Sequence, residues 1–160
     1  MRYAEDTSVP VERSKAEIDK LLTKYGASES MMGQRELQAV VQFKMRERYV
    51  RFLLPLPGRR DEAITHYRRK GSPFRYERTD AEALKRWEQA CRQRWRALCL
   101  VIKAKLEAVE TEITSFEHEF LAHIVMPDGR TVGEHVVPAI AAAYEGHPMP
   151  SLLPDYTGAP

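Results

Sequence analysis

The sequence predicts an α+β fold: one domain in which two β-hairpins pack on a long central helix, with shorter helices toward the N- and C-terminal ends. Three observations lead there. Apolar residues recur at helical spacing near the start, alternate over residues 39–54, and return to a sustained helical period from residue 84. The 160 residues are enough for one hydrophobic core, and 43% hydrophobic with 30% charged residues is a globular balance.

In the first element Ile18, Leu21, Leu22 and Tyr25 share a helical face, and Gly26 is placed to stop it. Its start is open between Pro10, suited to a first helical position, and Ser14, which has Glu17 three residues on. ASESMMGQRE, residues 27–36, reads as a loop. Ala39, Val41, Phe43 and Met45 then alternate with Val40, Gln42, Lys44 and Arg46, and a second run follows from Tyr49 to Leu54, ended by Pro55 and Pro57. This is a hairpin without an Asn-Gly or Asp-Gly turn, so its register is open.

Residues 58–79 are polar, Arg-rich and broken by Gly and Pro, which predicts a long mobile loop. Thr79 with Glu82 forms a capping-box pattern. Beyond it Leu84, Trp87, Cys91, Trp95, Leu98, Ile102, Leu106, Val109, Ile113, Phe116 and Phe120 step by threes and fours. That helix extends through about ten turns unless TEITSF, residues 111–116, interrupts it. A second hairpin is expected around Pro127-Asp128-Gly129. Thr131 with Glu134 opens a terminal helix that Pro138 kinks or restarts and Gly146 ends. The domain is expected to span residues 1–147, with a Pro-rich tail over 148–160.

Charge is unevenly spread. Residues 44–96 hold 16 Lys/Arg against 7 Asp/Glu, whereas the rest holds 9 against 16, a division hidden by the net charge of +2. On a helical wheel Trp87, Cys91, Trp95, Leu98, Ile102 and Leu106 fall in one sector about 100° wide, a core-facing stripe. Lys85, Arg92, Arg96 and Lys103 fall in a narrow sector roughly 120° away, expected to face water. Arg46, Arg48 and Arg51 of the hairpin and Arg68, Arg69 and Lys70 of the loop share the basic window, with Tyr67, Phe74 and Tyr76 among them. Cations that track phosphates beside aromatics that stack on bases suit DNA or RNA, single strands above all. The plain alternative is a solvated face whose Lys and Arg stems cover apolar neighbours.

Catalytic motifs are weak. In HEFLAH, residues 118–123, the two His are five apart, about 140° around a helix, so they do not match the zinc-protease pattern of four. Glu107, Glu110, Glu117 and Glu119 with His118 suggest a metal-dependent nuclease only if they converge. No Gly-rich phosphate loop, G-x-S-x-G or C-x-x-C occurs, so no catalytic residue, cofactor or metal is expected. Cys91 and Cys99 lie about 12 Å apart along one helix, too far for a disulfide. With no apolar signal core in MRYAEDTSVPVERSK and no apolar run near ~18 residues, a cytoplasmic protein with no membrane partner is expected.

The strings WEQACRQRWRALCLVIKAKLEAVE, HIVMPDGRTVGEHVVPAI and MPSLLP, with VPVERSKAEIDKLLTKYGA near the start, resemble a family of small proteins encoded in tailed-phage and prophage genomes. The resemblance implies an accessory protein in a bacterial cytoplasm that serves DNA replication or recombination, or counters host defence. The expected partners are therefore a nucleic acid or, in the alternative, a host defence protein. The length of the apolar stripe leaves room for a homodimer through the long helix.

Overall fold

A computed structural model describes residues 4–158; Met1–Tyr3 and Ala159–Pro160, the outermost residues of the expected domain and tail, lie outside it. In chain order the elements are α1 (Val11–Lys24), β1 (Glu29–Arg35), β2 (Gln38–Met45), β3 (Arg48–Pro55), α2 (Glu62–Thr65), β4 (His66–Arg68), β5 (Arg75–Glu77), α3 (Asp80–Glu110), α4 (Phe116–Phe120), a 3-10 turn (Leu121–His123) and α5 (Val132–Tyr144). This is the α+β architecture that the sequence predicts, with a long central helix and two small antiparallel sheets.

α1 starts at Val11, so Pro10 is its N-cap rather than its first helical residue. Gly26 ends the helix with φ +90°, a conformation that costs little only without a Cβ, and Ala27 N donates to Leu22 O at 2.9 Å. Ser14, Ile18 and Leu22 form its buried face.

β2 carries the expected alternation: Ala39, Val41, Phe43 and Met45 are buried while their neighbours are not. It pairs with β3 through a two-residue turn in register Met45↔Arg48, and both turn residues, Arg46 (φ 49°) and Glu47 (φ 59°), are left-handed. Only a turn of that hand matches the twist of the strands. Here two non-glycine residues adopt it at a cost of roughly 1 kcal/mol or more each, so the usual Asn-Gly signal is absent.

Residues 27–36, expected as a loop, instead contain β1, which pairs with β2 from Glu29↔Lys44 to Arg35↔Gln38. β1 is an edge strand with no fully buried residue. A strand that buries neither face has no alternation to betray it.

One face of the three-stranded sheet packs on α3 and α1. Val41, Phe43, Val50 and Phe52 meet Trp95, Leu98, Ile102 and Leu106 from α3 and Ile18 and Leu22 from α1. Phe120 closes one end, edge-on to Phe43 (6.0 Å, 88°) and Phe52 (6.2 Å, 87°).

The capping box of Thr79 and Glu82 opens α3 as predicted, and that of Thr131 and Glu134 opens α5. α3 stops at Glu110 rather than running on to Phe120. Glu112 turns left-handed (φ 59°), Ser115 caps α4, and Ile113, placed on the apolar stripe by its spacing, is 80% exposed. Pro138 sits inside α5 without ending it.

The second hairpin is not where it was expected. Residues 124–131 make only two isolated bridges, Val50↔Ile124 and Val125↔Thr131. The second pair of strands lies instead within residues 58–79, predicted as a loop but holding α2, β4 and β5, in register His66↔Glu77 to Arg68↔Arg75. The tail from residue 148 through 158 has no helix or strand.

Candidate nucleic-acid interface

The basic sector of α3 is not the open face that the wheel suggests, because α1 packs along that side. Gln89 bonds the carbonyls of Glu5 and Thr7, Arg96 meets Glu17, and Glu107 accepts from Tyr25, so the two helices run parallel. Arg96 Nη1 lies 2.5 Å from Glu17 Oε2. That bond, reinforced by the charges of Arg96 and Lys103, holds the Glu17 carboxyl below its ordinary range. Arg92 donates through Nε (3.1 Å) and Nη2 (2.7 Å) to Gln89 Oε1, fixing the amide that grips the N-terminal segment. Of the three predicted contacts on α3, Arg96 is neutralised, Arg92 braces the fold, and Lys103 stays exposed.

Arg46 and Arg48 are exposed at the β2–β3 turn, where the Arg46 guanidinium lies 5.6 Å from the Phe116 ring centroid. Arg51 is half-buried and committed: Nε donates to Gln42 Oε1 at 3.0 Å and Nη1 to Gly129 O at 2.9 Å.

The α2–β4–β5 lobe keeps three of its cations outward. Arg68, Arg69 and Lys70 are all exposed at the end of β4 and the turn that follows it. The Arg69 guanidinium stacks 4.6 Å from the Tyr76 centroid, and Tyr76 in turn lies 5.7 Å from Tyr67. Phe74, just before β5, is 69% exposed. Residues 58–79 hold seven Lys/Arg against three Asp/Glu. One of those acids, Glu62, is paired with Arg75. Arg78 turns inward as a brace, donating to the carbonyls of Ile64 (3.0 Å) and His66. Ile64, 3% exposed, is the lobe's core residue.

These groups occupy opposite ends of the molecule. Trp87 Nε1 donates to Pro57 O at 2.9 Å, which places the lobe at the start of α3. Arg46, over Phe116, stands beyond the end of α3. The eight residues of β3 alone separate the two by ~23 Å. The nine predicted contacts therefore do not form one surface: Arg68, Arg69 and Lys70 come together, Arg46 and Arg48 form a separate pair, Arg51 is held by Gln42 and Gly129, Arg92 and Arg96 are engaged within the fold, and Lys103 is exposed on α3. Sequence reasoning missed Arg59, whose guanidinium lies 4.4 Å over the Trp87 ring. Its signal was its place in the same basic window.

The carboxylates near the end of α3 are engaged separately. Glu107 accepts from Tyr25 Oη at 2.7 Å, and Glu119 from Lys105 Nζ at 2.8 Å. Among the described residues no group of three or more His, Cys, Asp or Glu is arranged to hold a metal ion. His123 is stacked on Phe52 at 4.1 Å, and burial pushes its pKa down. Burial likewise raises the Cys91 thiol, and the Cys99 thiol to about 11, so both stay protonated. The apolar stripe that prompted a helix-mediated dimer faces the sheet; the outer side of α3 offers Ala97, Leu100, Val101 and Ala104. No helix among the described residues is long and apolar enough to cross a membrane. In comparisons with known proteins, the chain matches no family model, no curated protein and no solved structure.

Proposed function

We propose that the protein binds single-stranded nucleic acid through the β4–β5 hairpin rather than through a continuous surface. One observation carries the reading: Arg68, Arg69 and Lys70 stand exposed beside an exposed Phe74 and the Tyr67–Tyr76 pair. Cations supply the phosphate contacts and a solvent-facing ring supplies a stacking platform, the pairing that single strands require. Phe74, 69% exposed, is free to stack on a base, whereas Trp95 and Phe43 are buried. Arg46 and Arg48 are a secondary contact, used only by a strand long enough to pass along the sheet. A phage setting, implied by the resemblance of the sequence strings, suits an accessory protein that holds single strands in replication or recombination.

Anisotropy titrations with labelled single- and double-stranded oligonucleotides at two salt concentrations test this. Single strands should bind more tightly, and R68Q/R69Q/K70Q should flatten the dependence of log K on log salt by about 2 units. Absence of binding at low salt overturns the reading.

A further inference from the structure

The two edges of the three-stranded sheet are treated differently. The β3 edge is plugged: Ile124 bridges Val50, and Val125 N donates to Tyr49 O at 2.8 Å. β1 lies at the other edge, paired with β2 alone. Its register closes at Arg35↔Gln38 across a two-residue turn, so Arg35, Gly33, Met31 and Glu29 turn their backbone groups toward β2. The N–H and C=O groups of Ser30, Met32 and Gln34 therefore point away from the sheet, and among the described residues none of them has a hydrogen-bond partner.

A free edge is a template for another strand, and native sheets blunt it with Lys, Pro, a bulge or a covering element. β1 has none of these. Its sequence, ESMMGQR, contains no Lys or Pro, and its register with β2 is unbroken from Glu29 to Arg35. Nor does α1 roof it. On the face where Ser30 Oγ donates to Asp19 of α1 at 2.8 Å, Ser30 and Gln34 are exposed and Met32 is only half-buried.

We propose that this edge pairs antiparallel with β1 of a second copy of the chain, joining the two sheets into one. The strand is self-complementary about Met32. A two-fold axis there sets Met32 opposite its own copy, Ser30 opposite Gln34 and Glu29 opposite Arg35. Ser30, Met32 and Gln34 carry the free backbone groups, so they form the hydrogen-bonded pairs, each exchanging both N–H···O=C bonds. Glu29 and Arg35 fall at non-hydrogen-bonded pairs, where side chains stand closer, and opposite charges meet at both ends of the junction. Met31, 54% exposed, falls opposite Gly33, which has no side chain to obstruct it. Only this antiparallel register engages all 7 residues of the strand. Because β1 supplies its own complement in charge and size, the occupant is a second copy rather than an unrelated extended peptide.

Sedimentation velocity of the full chain at rising concentration should show the mass of two chains, and amide exchange at Ser30, Met32 and Gln34 should slow as the dimer fills. E29R and R35E should each weaken association about tenfold, because like charges then face each other at two symmetric sites, and E29R/R35E together should restore it. Gln34→Pro removes an outward N–H, a change that edge strands tolerate, and should abolish the dimer with an unchanged far-UV CD spectrum. A single-chain mass at every concentration up to about 100 μM overturns the proposal. So does a dimer that ignores both charge reversals, one that the double variant fails to restore, or one whose Ser30, Met32 and Gln34 amides exchange as in the monomer. Capture of an unrelated extended peptide on β1 by a chain that stays monomeric overturns it too.

Discussion

The sheet body and the α2–β4–β5 lobe are both rich in arginine, yet they use it in opposite ways. In the body Arg96 meets Glu17, Arg51 meets Gln42 and a carbonyl, and Arg92 meets Gln89. In the lobe Arg75 and Arg78 are turned to structural use, and Arg68, Arg69 and Lys70 stay exposed, Arg69 over the Tyr76 ring. The body can hold these three in partnered positions, while Arg46 and Arg48 stay exposed at its turn, because α1, α3 and three strands share a large apolar interior. The lobe has Ile64 and two three-residue strands, and hairpins of that size are marginal by themselves. Composition alone does not separate a cation that braces a fold from one available to a ligand; what packs beside it does.

That contrast can be broken at its strongest point first. Phe43→Ala removes a ring that touches Phe120 in the body's centre and should cost about 3–5 kcal/mol of global stability by chemical denaturation. A cost under about 1 kcal/mol would deny the body its role as the folding unit.

Arg78→Ala should act locally. It strips a donor from the carbonyls of Ile64 and His66 and should open the lobe by about 1–3 kcal/mol, read as faster amide exchange over residues 62–77. Amides of β2 and β3 should hardly change, and a uniform loss of protection across both regions would show the two to be one cooperative unit.

The smallest effect sharpens the account of paired cations. Glu17→Gln should cost about 1 kcal/mol or less near neutral pH, since the pair with Arg96 is partly exposed. The Glu17 carboxyl is depressed in the folded protein, so its contribution is present above the ordinary carboxylate value of 4.5 and is lost as pH falls through the folded value. The gap between parent and variant should therefore close on acidification, and a gap that persists in acid would assign the loss to packing instead.

Much of the fold was legible because its signals are local. The capping boxes at Thr79 and Thr131 set two helix starts, and the alternation Ala39–Met45 set the central strand. β1 was not legible, since a strand whose partner is its main support carries no burial pattern of its own. Nor were β4 and β5: three-residue strands held by Arg78 and by each other leave only a polar, broken stretch in the sequence. At the candidate site, the sequence shows the basic window but not how its cations are arranged. A wheel ranks the faces of one helix and says nothing of which neighbour covers the second face, here α1 carrying Glu17.

The parallel pairing of α1 with α3 has a consequence for synthesis. The sheet is complete by Pro55, but its partners Trp95 to Leu106 leave the ribosome some fifty residues later, or about 3–10 s at ordinary elongation rates. During that interval Val41, Phe43 and Phe52 have only the short face of α1 to lie against. The nascent chain thus passes through a stage in which a finished sheet waits uncovered, a stage when a holding chaperone would find its binding surface.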